Sequence, residues 1–228
     1  MSSTTRAIEF VPSEWETAVC GSDTLHIRYA AGELICQRGS YVAGIHLILS
    51  GVASEVVPTP EGSPGPPDLL GAGDLIGIEM LAEGANETSN SACIAVTQVE
   101  LLFFERRAFK KQLLRNSALS HRILRYLASR HLRLQGDAYC AGSDLEALAF
   151  LLLRLHEVSS EPYEADLATL PESISPRMIQ ELSRLSGRRF RSAWDAMDTV
   201  HVGNSQIRFS REALLQIVCK HDSTQRAS

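Results

Sequence analysis

Three arginines fall within four residues at Arg188, Arg189 and Arg191, with Arg184 before them and Ser192 and Asp195 after. A guanidinium is a planar fork of donors that matches guanine O6 and N7, or two phosphate oxygens. A carboxylate such as Asp195 can accept from cytosine N4, and a serine hydroxyl can serve either kind of partner. These residue types offer recognition of a nucleic acid rather than bond making. On a helix, Arg188, Arg191 and Asp195 share a face at three- and four-residue steps, opposite Phe190, Ala193 and Met197. Arg191, with Asp195 one turn on, is therefore assigned to base reading, and Arg188 or Arg189 to phosphate or outermost base contacts. Two plainer readings stay open: a solvated basic helix, and an i,i+4 pair between Arg191 and Asp195. Phe190 and Trp194 are read as core rather than as contacts to thymine methyls.

The elements that would position this face are legible around it. In SPRMIQELSRLSGRRFRSAWDAMDTV, residues 175–200, Ser175 suits an N-cap and Pro176 a first helical position. Ile179, Leu182 and Leu185 form an inward side. Ser186-Gly187 supplies a tight turn, and a second helix is expected from about Arg188 to Thr199. VHVGNSQIRFS then reads as two short strands around Gly203-Asn204, and SREALLQIVC as a closing helix capped by Ser210. Upstream, Ser143 with Glu146 forms a capping box, followed by an apolar stripe of Leu145, Leu148, Leu152 and Leu155. The polar stretch 159–174 is expected to cross over as a loop with short extended pieces.

A single long helix is expected from Asn116 to Ala138, capped by Asn116 or Ser117, with Gly136 its first breaker. Leu124, Leu127, His131, Leu134 and Ala138 step at the spacing of a coiled-coil seam. Leu119, Ile123, Tyr126 and Leu132 lie on a neighbouring side. A helix apolar on two sides contacts two bodies, its own domain and a second copy of itself; the alternative is burial inside one domain.

Charge is segregated along the 228 residues, whose formal net charge is −5. Residues 1–105 carry −11, 106–136 carry +9 without one acid, 137–174 carry −7, and 175–228 carry +4. This pattern suits an acidic module joined to a region that approaches a polyanion. Five cysteines, Cys20, Cys36, Cys93, Cys140 and Cys219, form no CxxC pair, which fits a reducing cytoplasm and no zinc or iron–sulfur site. No metal site is expected, and no nucleophile–base pair or phosphate loop with Lys points to an enzyme. No apolar run spans a membrane, and MSSTTRAIEF has no secretory pattern, so a cytoplasmic protein is expected.

Residues 25–104 read as strands: LHIRY, ELICQ, IHLILSGVASEVV, DLIGI, ACIAV and VELLFF, separated by Gly, Ser, Asn and Pro. The pattern is that of a small antiparallel barrel or sandwich. PTPEGSPGPPD, residues 58–68, has five prolines and two glycines and is expected to be an exposed hairpin connection, neither helix nor central strand.

AAGELICQRGSYVAGIHLILSGVASEV, residues 30–56, resembles the opening of the cyclic-nucleotide-binding domain of the CRP/FNR superfamily of bacterial transcription regulators. Gly32, Gly39, Gly44 and Gly51 fall where that family turns its strands. LGAGDLIGIEML, residues 70–81, resembles its phosphate-binding segment, and the helix 116–138 stands at its dimerisation helix. The resemblance implies an α+β chain with three parts. These are an N-terminal double-stranded β-helix (jelly roll) at 1–115, a dimerisation helix at 116–138, and a C-terminal winged helix-turn-helix at 139–228. It also implies an effector pocket at Gly73, Gly77, Glu79, Thr88, Ser89, Leu134 and Gln135. The implied partners are double-stranded DNA, a second copy of the chain, and RNA polymerase, with no membrane.

The departures are specific. Ile78 follows Gly77, Glu79 stands one place late, and AEGANETSNSAC, residues 82–93, holds no Arg for a cyclic phosphate. A buried phosphate without a cation costs several kcal/mol, and Leu134 offers a purine no donor. Cyclic AMP is therefore not the expected effector. An iron–sulfur switch lacks its N-terminal cysteines, having Cys20 alone, and none of the seven histidines has diagnostic spacing for heme, so the cofactor stays unknown. The second helix places Phe190, Arg191, Ser192, Ala193 and Asp195 where the family reads roughly Arg-Glu-Thr-Val-x-Arg. The expected function is a homodimeric DNA-binding regulator. The alternative is a protein-interaction regulator whose helix-turn-helix has lost DNA.

Overall fold

The computed structural model describes residues 24–81, 88–139, 142–159, 167–203 and 206–225. By internal contacts the chain divides into two units, Met1–His131 and Leu132–Ser228.

The first unit is built of two four-stranded antiparallel sheets. One has the order β1-β8-β3-β6: Thr24–Tyr29, Val99–Glu105, Gly44–Ser50 and Leu75–Ile76. The other runs β2-β7-β4-β5: Leu34–Cys36, Ala92–Ala95, Ala53–Pro58 and Pro64–Leu70. Alternation along β3 and β8 assigns their two faces. Ile48 and Leu101 join Ile35, Ala53, Leu70, Cys93 and Ala95 in the cluster shared by the two sheets. Ile45, Leu47, Leu102 and Phe104 face the other way, onto Phe109, Leu119, Ile123 and Tyr126 of two helices. Those helices are α1, Arg106–Arg115, and α2, Ser117–Tyr139. Gly51 has φ +88°, and a Cβ there would stand 2.0 Å from the Gln98 carbonyl oxygen, so no other residue fits.

Two expectations need correction. The proline-rich stretch is only partly a connection: Pro64–Leu70 is a strand, paired with Ala53–Pro58. It lies at the sheet's edge, where alternate N–H groups face away from the partner strand and prolines are tolerated. Helix α1 is absent from the sequence reading. The Glu105 carboxylate accepts from the Ala108 N–H at 2.7 Å to start it, and Asn116 ends it. Asn116 Oδ1 then accepts from the Leu119 N–H at 3.0 Å and opens α2, so Asn116 is the cap.

The second unit contains α3, Asp144–Ser159, α4, Pro176–Ser183, α5, Gly187–Asp195, and α6, Arg211–Gln225. A three-stranded antiparallel sheet has the order β10-β11-β9, Val200–Gly203, Gln206–Ser210 and Leu167–Thr169. Ser143 and Ser175 cap their helices as expected, accepting from Glu146 at 3.2 Å and Met178 at 3.3 Å. Helix α5 is a turn shorter than the sequence suggested and ends at Asp195. The turn before it is not made by Gly187: Arg184 takes the left-handed conformation, φ 56°, as the C-cap of α4. That conformation is costly for a residue with a Cβ. Among the described residues, no helix is long and apolar enough to cross a membrane.

Candidate sensor site and candidate nucleic-acid interface

Glu55 on β4 and Asp68 on β5 have the same strand parity as Ala53 and Leu70, so both point between the sheets. Their side chains are 4% and 9% exposed. Two carboxylates cannot be left there without compensation. It comes from α2, where Leu119, Ile123 and Tyr126 form a buried stripe and Arg130 follows at the next four-residue step. The Arg130 guanidinium donates to Glu55, reaches Asp68 Oδ2 through Nε at 2.9 Å, and meets the Leu75 carbonyl at 3.5 Å. Burial works against its charge, but Tyr126, Glu55 and Asp68 outweigh that and hold the group fully protonated. Tyr126 fixes the helix beside it, its hydroxyl accepting from the Leu75 N–H at 3.0 Å.

A shell of small polar groups completes the cluster. The Ser91 hydroxyl donates to Glu55 Oε1 at 2.6 Å, and the Ser89 hydroxyl donates to the Ser91 carbonyl at 2.8 Å. Cys36 Sγ lies 3.9 Å from Ser89 Oγ. Glu79, in a short 3-10 turn at Ile78–Leu81, has its carboxyl pushed up by burial and by Glu55, against a smaller pull from Arg130. Two acids thus pair with one arginine, and a third, Glu79, feels the charge of Glu55. An interior of this sign opposes a phosphodiester.

Several residues of the expected pocket are committed to the fold. The Gly73 N–H donates to the Ile48 carbonyl at 2.8 Å, and Asp74 Oδ2 accepts from the Gly71 N–H at 2.9 Å, closing the segment on itself. Gly77 has φ +81°, and Thr88 bridges to Tyr41. Ser89 exchanges backbone bonds with Gly39 and Ser40. Residues 82–87 and the side chain of Gln135 lie outside the described residues, and Leu134 is exposed. The sequence reading missed Glu55, Asp68 and Arg130. The available signals were acids on inward strand positions and a base continuing an apolar helical stripe.

The seam on α2 is open. Leu124, Leu127 and Leu134 are exposed by 65%, 40% and 41%, and His131 is exposed too. The Ala138 side chain lies outside the described residues. Of the four residues grouped on the neighbouring side, Leu119, Ile123 and Tyr126 are buried and Leu132 is 67% exposed; Arg130 follows the buried three at the four-residue step.

In the second unit, Arg184, Arg188, Arg189, Arg191, Ser192 and Asp195 are all exposed, while Phe190, Ala193 and Met197 are buried. The Phe190 and Trp194 rings pack with centroids 5.3 Å apart, so Phe190 is core. Arg189 is not free. It forms a bidentate pair with Asp144 of α3, Nε to Oδ2 at 2.7 Å, which holds the Asp144 carboxyl below its ordinary range. Among the described residues, no ion pair joins Arg191 to Asp195. Ser186 gives α5 no side-chain cap, which leaves its first N–H groups open to an anion. Burial lowers the Arg184 guanidinium from its ordinary value.

Residues 26–116 match the family model described as the cyclic nucleotide-binding domain. Known structures extend the likeness over both units. FixK2 from Bradyrhizobium japonicum superposes with a TM-score of 0.66 at 16% identity, covering 85% of this chain and 96% of that one. The c-di-GMP-responsive global regulator CLP of Xanthomonas campestris gives 0.65 at 16% identity, over 87% and 99%. A CRP-family transcriptional regulator from Thermus thermophilus gives 0.62 at 20% identity, over 83% and 95%. The chain has the CRP/FNR fold. No curated protein matches it by sequence. Against the CRP/FNR background, the mixed α+β reading and the resemblance carried by residues 30–56 and 70–81 hold. The Arg130–Glu55–Asp68 cluster is built from this chain's own residues within that fold.

Proposed function

We propose that the protein is a homodimeric, DNA-binding transcription regulator whose sensor answers to a signal other than cyclic AMP. In this reading residues 1–115 are a jelly-roll sensor, 116–138 the dimerisation helix and 139–228 a winged helix-turn-helix. The observation that carries it is the exposed arginine face of α5, with Arg188 and Arg191 outward over a buried Phe190–Ala193–Met197 side. The reading of Arg184, Arg188, Arg189, Arg191, Ser192 and Asp195 as the DNA contact set rests on that face. Two such heads in a two-fold dimer would meet half-sites about 34 Å apart. The fold neighbours, among them a transcriptional regulator of the CRP family and a global regulator, support a regulatory role.

The rejection of cyclic AMP draws support from Glu55, Asp68 and Glu79, which give the sensor interior the wrong sign for a phosphodiester. The pocket at Gly73, Gly77, Glu79, Thr88, Ser89, Leu134 and Gln135 remains our proposal for where an effector acts. RNA polymerase is proposed as a further partner, and the cytoplasm as the setting.

One observation favours the second reading, a protein-interaction regulator: Arg189 is neutralised within the unit by Asp144. A retardation assay on genomic fragments at several salt concentrations separates the two. A regulator gives retained fragments whose affinity falls linearly with log salt, by about 0.9 per phosphate contact. Absence of retained fragments at low salt would overturn DNA binding.

A further inference from the structure

Cys36 and Cys93 are direct partners across the β2–β7 pair, and both are free thiols. Residues opposed in an antiparallel pair have Cα atoms about 4.5–5.5 Å apart, within the roughly 4.4–6.8 Å that a disulfide spans. Their side chains share a face: Cys93 belongs to the cluster between the sheets, and Cys36 packs against that same cluster. A bulge between Leu34 and Cys36 brings this about, by shifting the register so that Cys36 rather than its neighbour meets Cys93.

The pair stands at one end of the buried polar chain. Cys36 Sγ touches Ser89 Oγ at 3.9 Å, Ser89 donates to the Ser91 carbonyl at 2.8 Å, and Ser91 donates to Glu55 at 2.6 Å. Glu55 then binds Arg130 of the long helix. Any closing of Cys36 onto Cys93 draws on the strand that Ser91 immediately precedes, and so on the group that donates to Glu55.

We propose that Cys36 and Cys93 are a redox modification site, a cross-strand dithiol that a hydroperoxide oxidises to a disulfide and that loosens Arg130. Cys36, half-buried, meets the oxidant first. Its sulfur attacks one peroxide oxygen, the O–O bond breaks, and the thiol becomes a sulfenic acid as one water leaves. The Cys93 sulfur then attacks the Cys36 sulfur, the S–O bond breaks, and the hydroxyl departs with the Cys93 proton as a second water. Two thiols lose two electrons and one hydrogen peroxide gains them. Burial pushes both thiols up, so the reaction is slow at neutral pH without a sustained supply of peroxide. The thiol chemistry is independent of the regulator reading; only its consequence for DNA rests on that reading.

The test uses the full-length chain, freed of reductant, treated with hydrogen peroxide, alkylated, and digested without reduction. The expected product is a linked peptide pair carrying Cys36 and Cys93, lighter by two hydrogens than the separate peptides. Recovery of both cysteines as alkylated peptides, or of Cys36 as a sulfinic acid beside intact Cys93, overturns the site. Hydrogen exchange then compares oxidised and reduced wild type with peroxide-treated Cys36→Ser. Amides of 117–130 should exchange several-fold faster in the oxidised wild type alone. A linked pair with unchanged exchange overturns the coupling to Arg130. Retardation of DNA by the two wild-type forms should differ in affinity, and equal retention overturns the regulatory consequence. If neither form retains DNA, the regulator reading fails while the thiol result stands.

Discussion

Arg130 ion-pairs with Glu55 across 75 residues of chain, joining the long helix to a strand of the second sheet with the two side chains only 13% and 4% exposed. Removing one partner of such a pair leaves the other charge buried, and that loss exceeds what the pair contributes over an apolar replacement.

Arg130→Met should therefore destabilise the chain by about 3–5 kcal/mol, read as a lowered urea midpoint. Adding Glu55→Gln and Asp68→Asn to Arg130→Met should recover a large part of the loss, because no uncompensated carboxylate remains. A triple variant no more stable than the single one would show that Arg130 acts by packing alone.

Acid should weaken the first unit through His46. Burial lowers this ring from 6.5 to about 4, beside the Phe103 ring at 5.1 Å. Above pH 6.5 the ring is neutral in both states, and between 6.5 and about 4 only the unfolded chain takes the proton. Stability is thus lost as pH falls through that window, by at most about 3 kcal/mol. Glu79 works in the opposite sense: its raised folded value means burial of its charge costs stability at neutral pH and is relieved as it protonates. Urea midpoints of wild type and His46→Gln, taken between pH 7.5 and 4.5, should converge as the pH falls. Parallel curves would remove His46 from the account.

On α5 the Asp144 pair sets Arg189 apart from Arg188 and Arg191. Arg191→Ala should cost about 1–3 kcal/mol on a specific site and flatten preference at one base position. Asp144→Asn should release Arg189 to a phosphate and steepen the salt slope by about one. Arg189→Ala should change the slope by less than one. A full unit lost there would show that DNA phosphates displace Asp144.

Leu127→Glu places a charge on the open seam of the long helix, where Leu124 and Leu127 face solvent. Sedimentation should give a dimer for wild type at micromolar concentration and a monomer for the variant, with unchanged far-ultraviolet dichroism. A monomeric wild type would remove the seam as the dimer contact.

The sequence by itself determined what depends on short-range rules. Period-two runs placed the strands, Ser143 and Ser175 announced their helices, and the three-residue steps of α5 separated Arg191 from Phe190. What depended on distant partners was decided only by the tertiary structure. Pro64–Leu70 became a strand because a sheet edge tolerates prolines that a central position rejects. Arg184 rather than Gly187 turned the chain: it takes the left-handed conformation as the C-cap of α4, its N–H donating to the Glu181 carbonyl. Arg130, Glu55 and Asp68 each read as an ordinary surface charge in one dimension. They form a site because two strand registers and one helical rotation converge on the same buried point, where a charge must find its opposite.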